Sequence, residues 1–154
     1  MSEPAPSLTR IDVVVDTLIE LASGIDPALQ VLDGPHVGEI LADVIVVGLS
    51  ENPERPGYTT SVSRLEGFGR PRLEENWTVR CLLSVMTGDS DIPAMRARAV
   101  AIITALDTAL RDAHHLEGVW DRARFGSEAQ WVPIQYEQGT VVNVLFTVEG
   151  TSLL

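Results

Sequence analysis

The feature that most constrains the fold is a long alternating strand that passes directly into a long amphipathic helix, between Glu74 and Leu116. Alternation places one apolar set on a single side of the strand, namely Trp77, Val79, Cys81, Leu83 and Val85. The strand ends at Gly88-Asp89-Ser90-Asp91, where Asp91 is placed to cap the helix that follows. Pro93 lies in the first turn of that helix, where a missing N–H does no harm. From Ile92 to Leu116 apolar residues recur at helical spacing, so the helix and the strand each present an apolar face to the other.

A second helix and a buried strand are predicted before this unit. Thr9 to Asp12 has the form of a capping box with Asp in place of Glu, which predicts a helix from Thr9 to Ala22. Ser23-Gly24 closes that helix, and a short strand follows at Leu29 to Asp33. Leu41 to Leu49 is a Val-rich apolar run, which predicts a central strand that is buried on both faces.

A long polar excursion and a C-terminal hairpin complete the pattern. Ser50 to Gly57 and Gly67 to Arg72 carry Gly and Pro at positions that predict mobile loops, and Tyr58 to Glu66 between them has the polar alternation of an edge strand. Near the C-terminus three further strands are predicted: a weak one at Val119 to Phe125, and a hairpin of Trp131 to Glu137 with Thr140 to Glu149 across Gln138-Gly139. Pro133 places the first hairpin arm at a sheet edge. The predicted fold is α+β, a single domain in which a mainly antiparallel sheet packs against two helices.

Composition limits the classes of function. A chain of 154 residues with 45% apolar and 21% charged residues suits one folded domain, preceded by a flexible tail at residues 1–7. The net charge of −11 argues against a nucleic-acid binder, which would cluster basic residues against phosphates. No run approaches the roughly 18 apolar residues of a membrane span, and the N-terminus lacks the pattern of a signal peptide, so we expect a cytoplasmic protein or part of an assembly.

No catalytic, metal or cofactor signature is present in the sequence. The adjacent His114 and His115 diverge by about 100° on a helix, so they cannot form a clamp at i and i+4. Asp89 and Asp91 lack the Gly and Glu of a calcium loop, and helix capping accounts for both. Cys81 is the single cysteine, which excludes a disulfide within the chain. We therefore expect no cofactor, no metal site and no enzymatic activity.

The order of elements resembles the tail terminator family of long-tailed bacteriophages, with its minor-tail and head-tail-joining relatives. The resemblance covers nearly the whole chain: an N-terminal helix, a strand with V-L-D-G-P, an apolar strand V-I-V-V-G, the polar excursion, the strand E-N-W-T-V-R-C-L-L-S-V, G-D before a long helix, and a C-terminal hairpin. It lies in this order of elements and not in an invariant motif.

The resemblance implies a virion structural protein, assembled in the host cytoplasm, at the head-proximal end of the tail. Six copies would form a ring that caps the tail tube, ends its polymerisation and meets the neck or connector protein, while DNA passes through without specific binding. The polar loops are then candidate docking elements, and their candidate partner-binding residues are Glu51, Arg55, Tyr58, Phe68, Arg70 and Arg72. Asp12, Asp16 and Glu20 form a like-charged row at i, i+4 and i+8, which is either a solvated helix face or an acidic lumen face.

Two alternatives remain open from the sequence. The first is a neck or head-completion protein, which differs from a terminator in its partners more than in its physics. The second is a small ligand-binding or enzymatic α+β domain, which requires a concave pocket with convergent polar groups.

Overall fold

The computed structural model describes residues 8–34, 43–65 and 72–154. Within these ranges the chain forms two helices and six strands in the order α1 (Ile11–Ser23), β1 (Gln30–Asp33), β2 (Val44–Val47), β3 (Tyr58–Leu65), β4 (Arg72–Thr87), α2 (Ile92–Asp112), β5 (Arg122–Tyr136) and β6 (Gly139–Leu153). All six strands belong to one sheet, ordered β1-β2-β4-β6-β5, with β3 also paired to β4. Because only the β1–β2 pair is parallel, the predicted α+β class with a mainly antiparallel sheet is confirmed.

The 16-residue strand β4 is the centre of the sheet. Along one edge it pairs with β6 from Glu74 to Thr87. Along its other edge it is shared by two strands, because β3 pairs with residues 72–79 and β2 pairs with residues 81–84. Arg80 is the residue at which this edge changes partner.

Both helices pack on the same face of the sheet. The apolar stripe of α2 and the buried side of α1 join the alternate residues of β4 and β6 in one core. That core includes Trp77, Val79, Cys81, Leu83 and Val85 from β4, as the alternation predicted. β2 lies between β1 and β4 and is buried on both faces, which confirms a central strand. Of the predicted Leu41 to Leu49, the strand includes Val44–Val47 and ends before Gly48, while residues 41 and 42 lie outside the described ranges.

The start of α1 differs from the predicted capping box. The helix begins at Ile11, and Asp12 makes no capping contact; the hydroxyl of Thr9 instead accepts a hydrogen bond from the Ile11 N–H at 3.1 Å. Glu75 of β4 supplies the acceptor that was expected from Asp12: its fully buried carboxylate accepts a hydrogen bond from the Arg10 N–H at 2.8 Å. A residue 65 positions away thus does the work that the sequence pattern assigned to a neighbour.

The end of α2 also differs, because the helix stops at Asp112 and not at Leu116. The Trp120 indole N–H donates to the Ala113 carbonyl at 2.7 Å, which supplies a partner for a carbonyl that a longer helix would have used. Trp120 also packs against Trp77 in a tilted arrangement, with ring centroids 5.7 Å apart. Trp77 in turn donates to the Ser152 hydroxyl at 3.0 Å, so this end of the core is closed by two indoles with satisfied N–H groups.

The last part of the chain contains two long strands where three were predicted. The predicted weak strand at Val119 to Phe125 and the predicted arm at Trp131 to Glu137 are parts of one strand, β5, which is interrupted by a register shift between Phe125 and Ala129. The polar Gly126-Ser127-Glu128 of this bulge conceals the continuity in the sequence. The hairpin with β6 and the edge position of Pro133 are confirmed.

Candidate partner-binding surface

The face of the sheet opposite the helices carries an apolar centre. Directly paired residues share a face, so the pairs Leu82 with Leu145 and Met86 with Val141 point away from the core side. All four side chains are only partly buried. Toward the β5 edge, Val132 and Tyr136 on the same face are 40% and 57% exposed. On a sheet with one solvated face, the residues that point to solvent are normally polar. An apolar centre on that face is therefore typical of a contact surface.

One side of this face is bounded by the loop between β2 and β3, and Arg80 holds that loop in place. Its guanidinium donates to the carbonyls of Leu49 and Arg55, at 3.4 and 3.0 Å. Its backbone takes part as well, because the Arg80 carbonyl accepts from the N–H groups of Gly48 and Leu49 while the Arg80 N–H donates to Gly57 at 2.7 Å. Both ends of the loop are therefore fixed to the one β4 residue that lies between the segments paired with β3 and with β2.

Internal contacts shape the rest of the loop. The Asn52 side-chain oxygen accepts from the N–H groups of Glu54 and Arg55, both at 2.9 Å, which forms a tight turn. Gly57 lies so close to the neighbouring chain that an added Cβ would meet the Gly48 carbonyl oxygen at 2.7 Å. The segment is exposed, as predicted, and these hydrogen bonds shape its turn.

A groove of about 480 Å³ lies on this face between the loop and the bulge of β5. Its floor is formed by β4 and β6, from Thr78, Arg80, Leu145, Thr147 and Glu149. Glu54 lines it from the loop and Glu128 lines it from the bulge. Both carboxylates are exposed, and neither forms an ion pair with another residue that the structure describes. The groove therefore has a polar floor and an unpaired negative charge at each wall.

The structure brings together two of the predicted partner-binding residues. Glu51 forms ion pairs with Arg55 and with Arg80, each at 3.5 Å. Tyr58 begins β3 opposite Val79 and is 47% exposed, with its ring against Gly48. Glu51, Arg55 and Arg80 therefore belong to one surface, whereas Tyr58 lies on the opposite face of the sheet, because its pairing partner Val79 faces the core.

The other predicted partner-binding residues lie elsewhere. Arg72 is paired with Leu65 at the far end of the β3–β4 hairpin, eight positions from Arg80, which corresponds to about 26 Å along a strand. Phe68 and Arg70 fall outside the residues that the structure describes, as does the predicted N-terminal tail at 1–7. Asp12, Asp16 and Glu20 all lie on the exposed side of α1, away from the sheet.

Sequence reasoning missed two residues of this surface, Arg80 and Glu128. The available signal for Arg80 was its charge, because it lies between Thr78 and Leu82 on the half-buried side of a strand. Glu128 carried no signal, because its position depends on a bulge that only the pairing of β5 with β6 reveals.

The other chemical features of the described chain are structural. No group of three or more His, Cys, Asp or Glu side chains within residues 8–34, 43–65 and 72–154 is arranged to hold a metal ion. Burial raises the pKa of the Cys81 thiol from its ordinary value of 9.0 to about 12, so the thiol stays protonated and unreactive in the folded state at neutral pH. In the same part of the chain, neither helix has the length and apolar character needed to cross a membrane.

Comparison with known proteins finds similarity at the level of structure. No family model matches the chain, and no curated protein matches it. A chain in the solved virion of a native gene transfer agent particle is similar at a TM-score of 0.49 and 14% sequence identity, over 95% of this chain and 100% of that chain. A likeness of that size supports no inference about what this protein does.

Replacing Arg80 with Met is expected to loosen the loop while the sheet stays intact, because Met keeps an apolar stem but removes the donors to Leu49 and Arg55. The guanidinium is partly exposed, so we expect a local loss of about 1 kcal/mol. Hydrogen exchange should accelerate at the amides of residues 51–57 and stay unchanged in β6. Equal acceleration in both segments would show that Arg80 supports the whole sheet and not the loop.

Proposed function

We propose that this protein is a structural subunit of a phage virion, a tail terminator that forms a homo-oligomeric ring, ends tail-tube polymerisation and joins the tail to the neck. The observation that carries the proposal is the sheet face opposite the helices, where an apolar centre and a groove with unpaired charges lie at the surface. Such a face gains stability when another protein covers it.

The architecture supports the same function. The order of elements that resembles tail terminators in the sequence is present as a folded unit, with β1, β2, the excursion around β3, the long β4, α2 and the hairpin of β5 and β6. The groove lies at the surface and carries the carboxylates of Glu54 and Glu128 at its walls, which suits contact with a protein surface better than enclosure of a small substrate. A ring subunit needs two such contact surfaces, because a contact that closes by rotation joins different patches of neighbouring copies.

The proposed role is tested by assembly of the purified full chain, alone and with the tail-tube protein encoded in the same genome. We expect a ring of defined mass, most readily of six copies, in native mass spectrometry and negative-stain electron microscopy. Added during polymerisation, the ring should shorten the tubes and be found at one end only. A chain that stays monomeric at high concentration with the tube protein present would overturn the proposal, whereas a ring that binds a connector protein but never a tube would favour the neck alternative.

A further inference from the structure

We propose that two copies of this chain associate through β3, by antiparallel pairing of β3 with β3 of a second copy about a two-fold axis at Ser61. The contact joins two identical edges, whereas the contact that closes the proposed ring joins different patches of neighbouring copies. The inference therefore goes beyond the proposed function and does not depend on it. If rings form, this contact would join two of them face to face.

Among the sheet edges that the structure describes, β3 is the one least protected against pairing with a further strand. β1 has only four residues, and β5 carries Pro133 and a register shift after Phe125. A short strand, a proline and a bulge are all features that discourage strand addition at an edge. β3 has eight residues without Pro or Gly, and β4 is the only described strand that pairs with it. All residues from Tyr58 to Arg64 are exposed, so this edge is open to another strand.

One hydrogen bond shows which residues of β3 direct their backbone groups outward. The Arg80 N–H donates to the Gly57 carbonyl at 2.7 Å, and the β3–β4 register, extended by one residue, places Gly57 opposite Arg80. Residue 57 and every second residue after it therefore direct their N–H and C=O groups toward β4. The intervening residues direct theirs to the outer edge, and these are Tyr58, Thr60, Val62 and Arg64.

These outward backbone groups match one another when the two-fold axis lies at Ser61. The axis places Tyr58 opposite Arg64 and Thr60 opposite Val62, and each pair occurs twice. The two strands then exchange about eight hydrogen bonds, because each hydrogen-bonded pair of an antiparallel ladder shares two. An axis at Thr60 or at Val62 would engage only three of the four outward-facing residues. The backbone therefore favours the register about Ser61.

The side chains that this register brings together are compatible. Residues directly opposite one another share a face of the sheet, so the Arg64 guanidinium of one copy would lie against the Tyr58 ring of the other. A guanidinium on an aromatic face is a favourable cation–π contact. Val62 would pack against Thr60 of the second copy, as β-branched residues do in paired strands. Tyr58 and Val62 are 47% and 50% exposed in the single copy, and the contact would cover apolar surface of both.

The charge of β3 makes it suitable for contact between two acidic copies. Each copy has a net charge of −11, so most contacts would bring carboxylates together. No Asp or Glu lies between Tyr58 and Leu65, and the register about Ser61 places no charged residue opposite another. Glu74 and Glu75 are on β4, one strand further back, which corresponds to about 10 Å from β3 of the second copy.

A cysteine at the axis tests the register in the full chain. In Ser61→Cys the two introduced thiols would lie opposite each other in a non-hydrogen-bonded pair, where Cα atoms are about 4.5 Å apart, within the range that a disulfide spans. Ser63→Cys is the matched control, because Ser63 is equally exposed but its two copies would be about 13 Å apart along the strands. Cys81, the only natural cysteine, is buried and should not react. Mild oxidation should convert Ser61→Cys to a covalent dimer at least roughly tenfold faster than Ser63→Cys.

A proline at the outer edge tests the hydrogen bonds. The Val62 N–H points outward, so Val62→Pro removes a donor to the second copy and none to β4. Val62→Thr keeps the N–H and the β-branched shape and serves as the control. Both variants should keep the circular dichroism spectrum and the melting curve of the natural chain. In sedimentation velocity we expect Val62→Pro to associate at least roughly tenfold more weakly than the natural chain, and Val62→Thr to associate normally.

Equal cross-linking of the two cysteine variants, or association of Val62→Pro as strong as that of Val62→Thr, would overturn the β3 contact and leave the ring standing. A natural chain that stays monomeric, and loses binding of the tail-tube protein on Val62→Pro, would show that β3 receives a strand of another protein and would overturn pairing with a second copy. Dimers that depend on Val62 but form no ring with the tube protein present would support this contact and overturn the proposed function.

Discussion

Leu106→Asp is expected to leave the protein unfolded. Leu106 is 3% exposed and lies at the centre of the stripe through which α2 contacts the sheet. A carboxylate there would have no counterion among the apolar side chains of the core, and the cost of several kcal/mol is comparable with the roughly 5–15 kcal/mol of stability that a domain possesses. Circular dichroism should show loss of native structure, and size exclusion should show an expanded or aggregated chain.

Val100→Asp is the matched control, because Val100 lies on the same helix but is 49% exposed. We expect this substitution to change the free energy of unfolding by no more than about 0.5–1 kcal/mol. If Leu106→Asp folded as well as Val100→Asp, the packing of α2 on the sheet would not be the main source of stability.

Gly150→Val is expected to destabilise the fold nearly as strongly, by a different route. Gly150 lies on β6 opposite Trp77, where an added Cβ would meet the Arg122 carbonyl oxygen at 2.1 Å and the Trp77 ring at 2.5 Å. Neither neighbour is the free end of a flexible side chain, so the β5–β6 ladder or the buried indole pair has to move. We expect a loss of about 3 kcal/mol or more, seen as a lower denaturation midpoint.

The control for this substitution is Gly88→Ala, in the turn after β4. No atom lies within 4 Å of the position that its Cβ would take. We expect a change in the free energy of unfolding of less than about 1 kcal/mol, of either sign. Equal destabilisation by the two variants would mean that Gly150 is not held by the contacts around Trp77.

How far the sequence predicts this fold depends on whether a contact is local or distant. The alternation from Trp77 to Val85 and the cap at Asp91 were predicted correctly, because side-chain period and capping are set by residues within a few positions. The start of α1 was predicted incorrectly, because the partner of the Arg10 N–H is Glu75. The length of β5 was missed because a polar bulge resembles a loop until its partner strand is known.

The candidate surface shows the same difference between local contacts, which the sequence predicts, and distant contacts, which it does not. Glu51 and Arg55 were predicted, as partner-binding residues, from the composition of an exposed loop. Arg55 lines the groove and Glu51 forms an ion pair with it, and their role in binding remains a prediction. Arg80 was not predicted, because its role depends on the loop returning to one particular position of a strand 31 residues from Leu49. The assignment of Asp12, Asp16 and Glu20 to a lumen remains a prediction, since exposure on α1 agrees equally with a solvated face.

The change of partner at Arg80 has a consequence for how much change in loop length the fold can tolerate. β2 and β3 each take their register from β4 and not from each other, so the segment that joins them carries no information that the sheet needs. Lengthening it would cost only about 0.6 kcal/mol for each doubling of its length, while both ladders stay in place. The sheet therefore tolerates changes in one wall of the groove without having to fold differently.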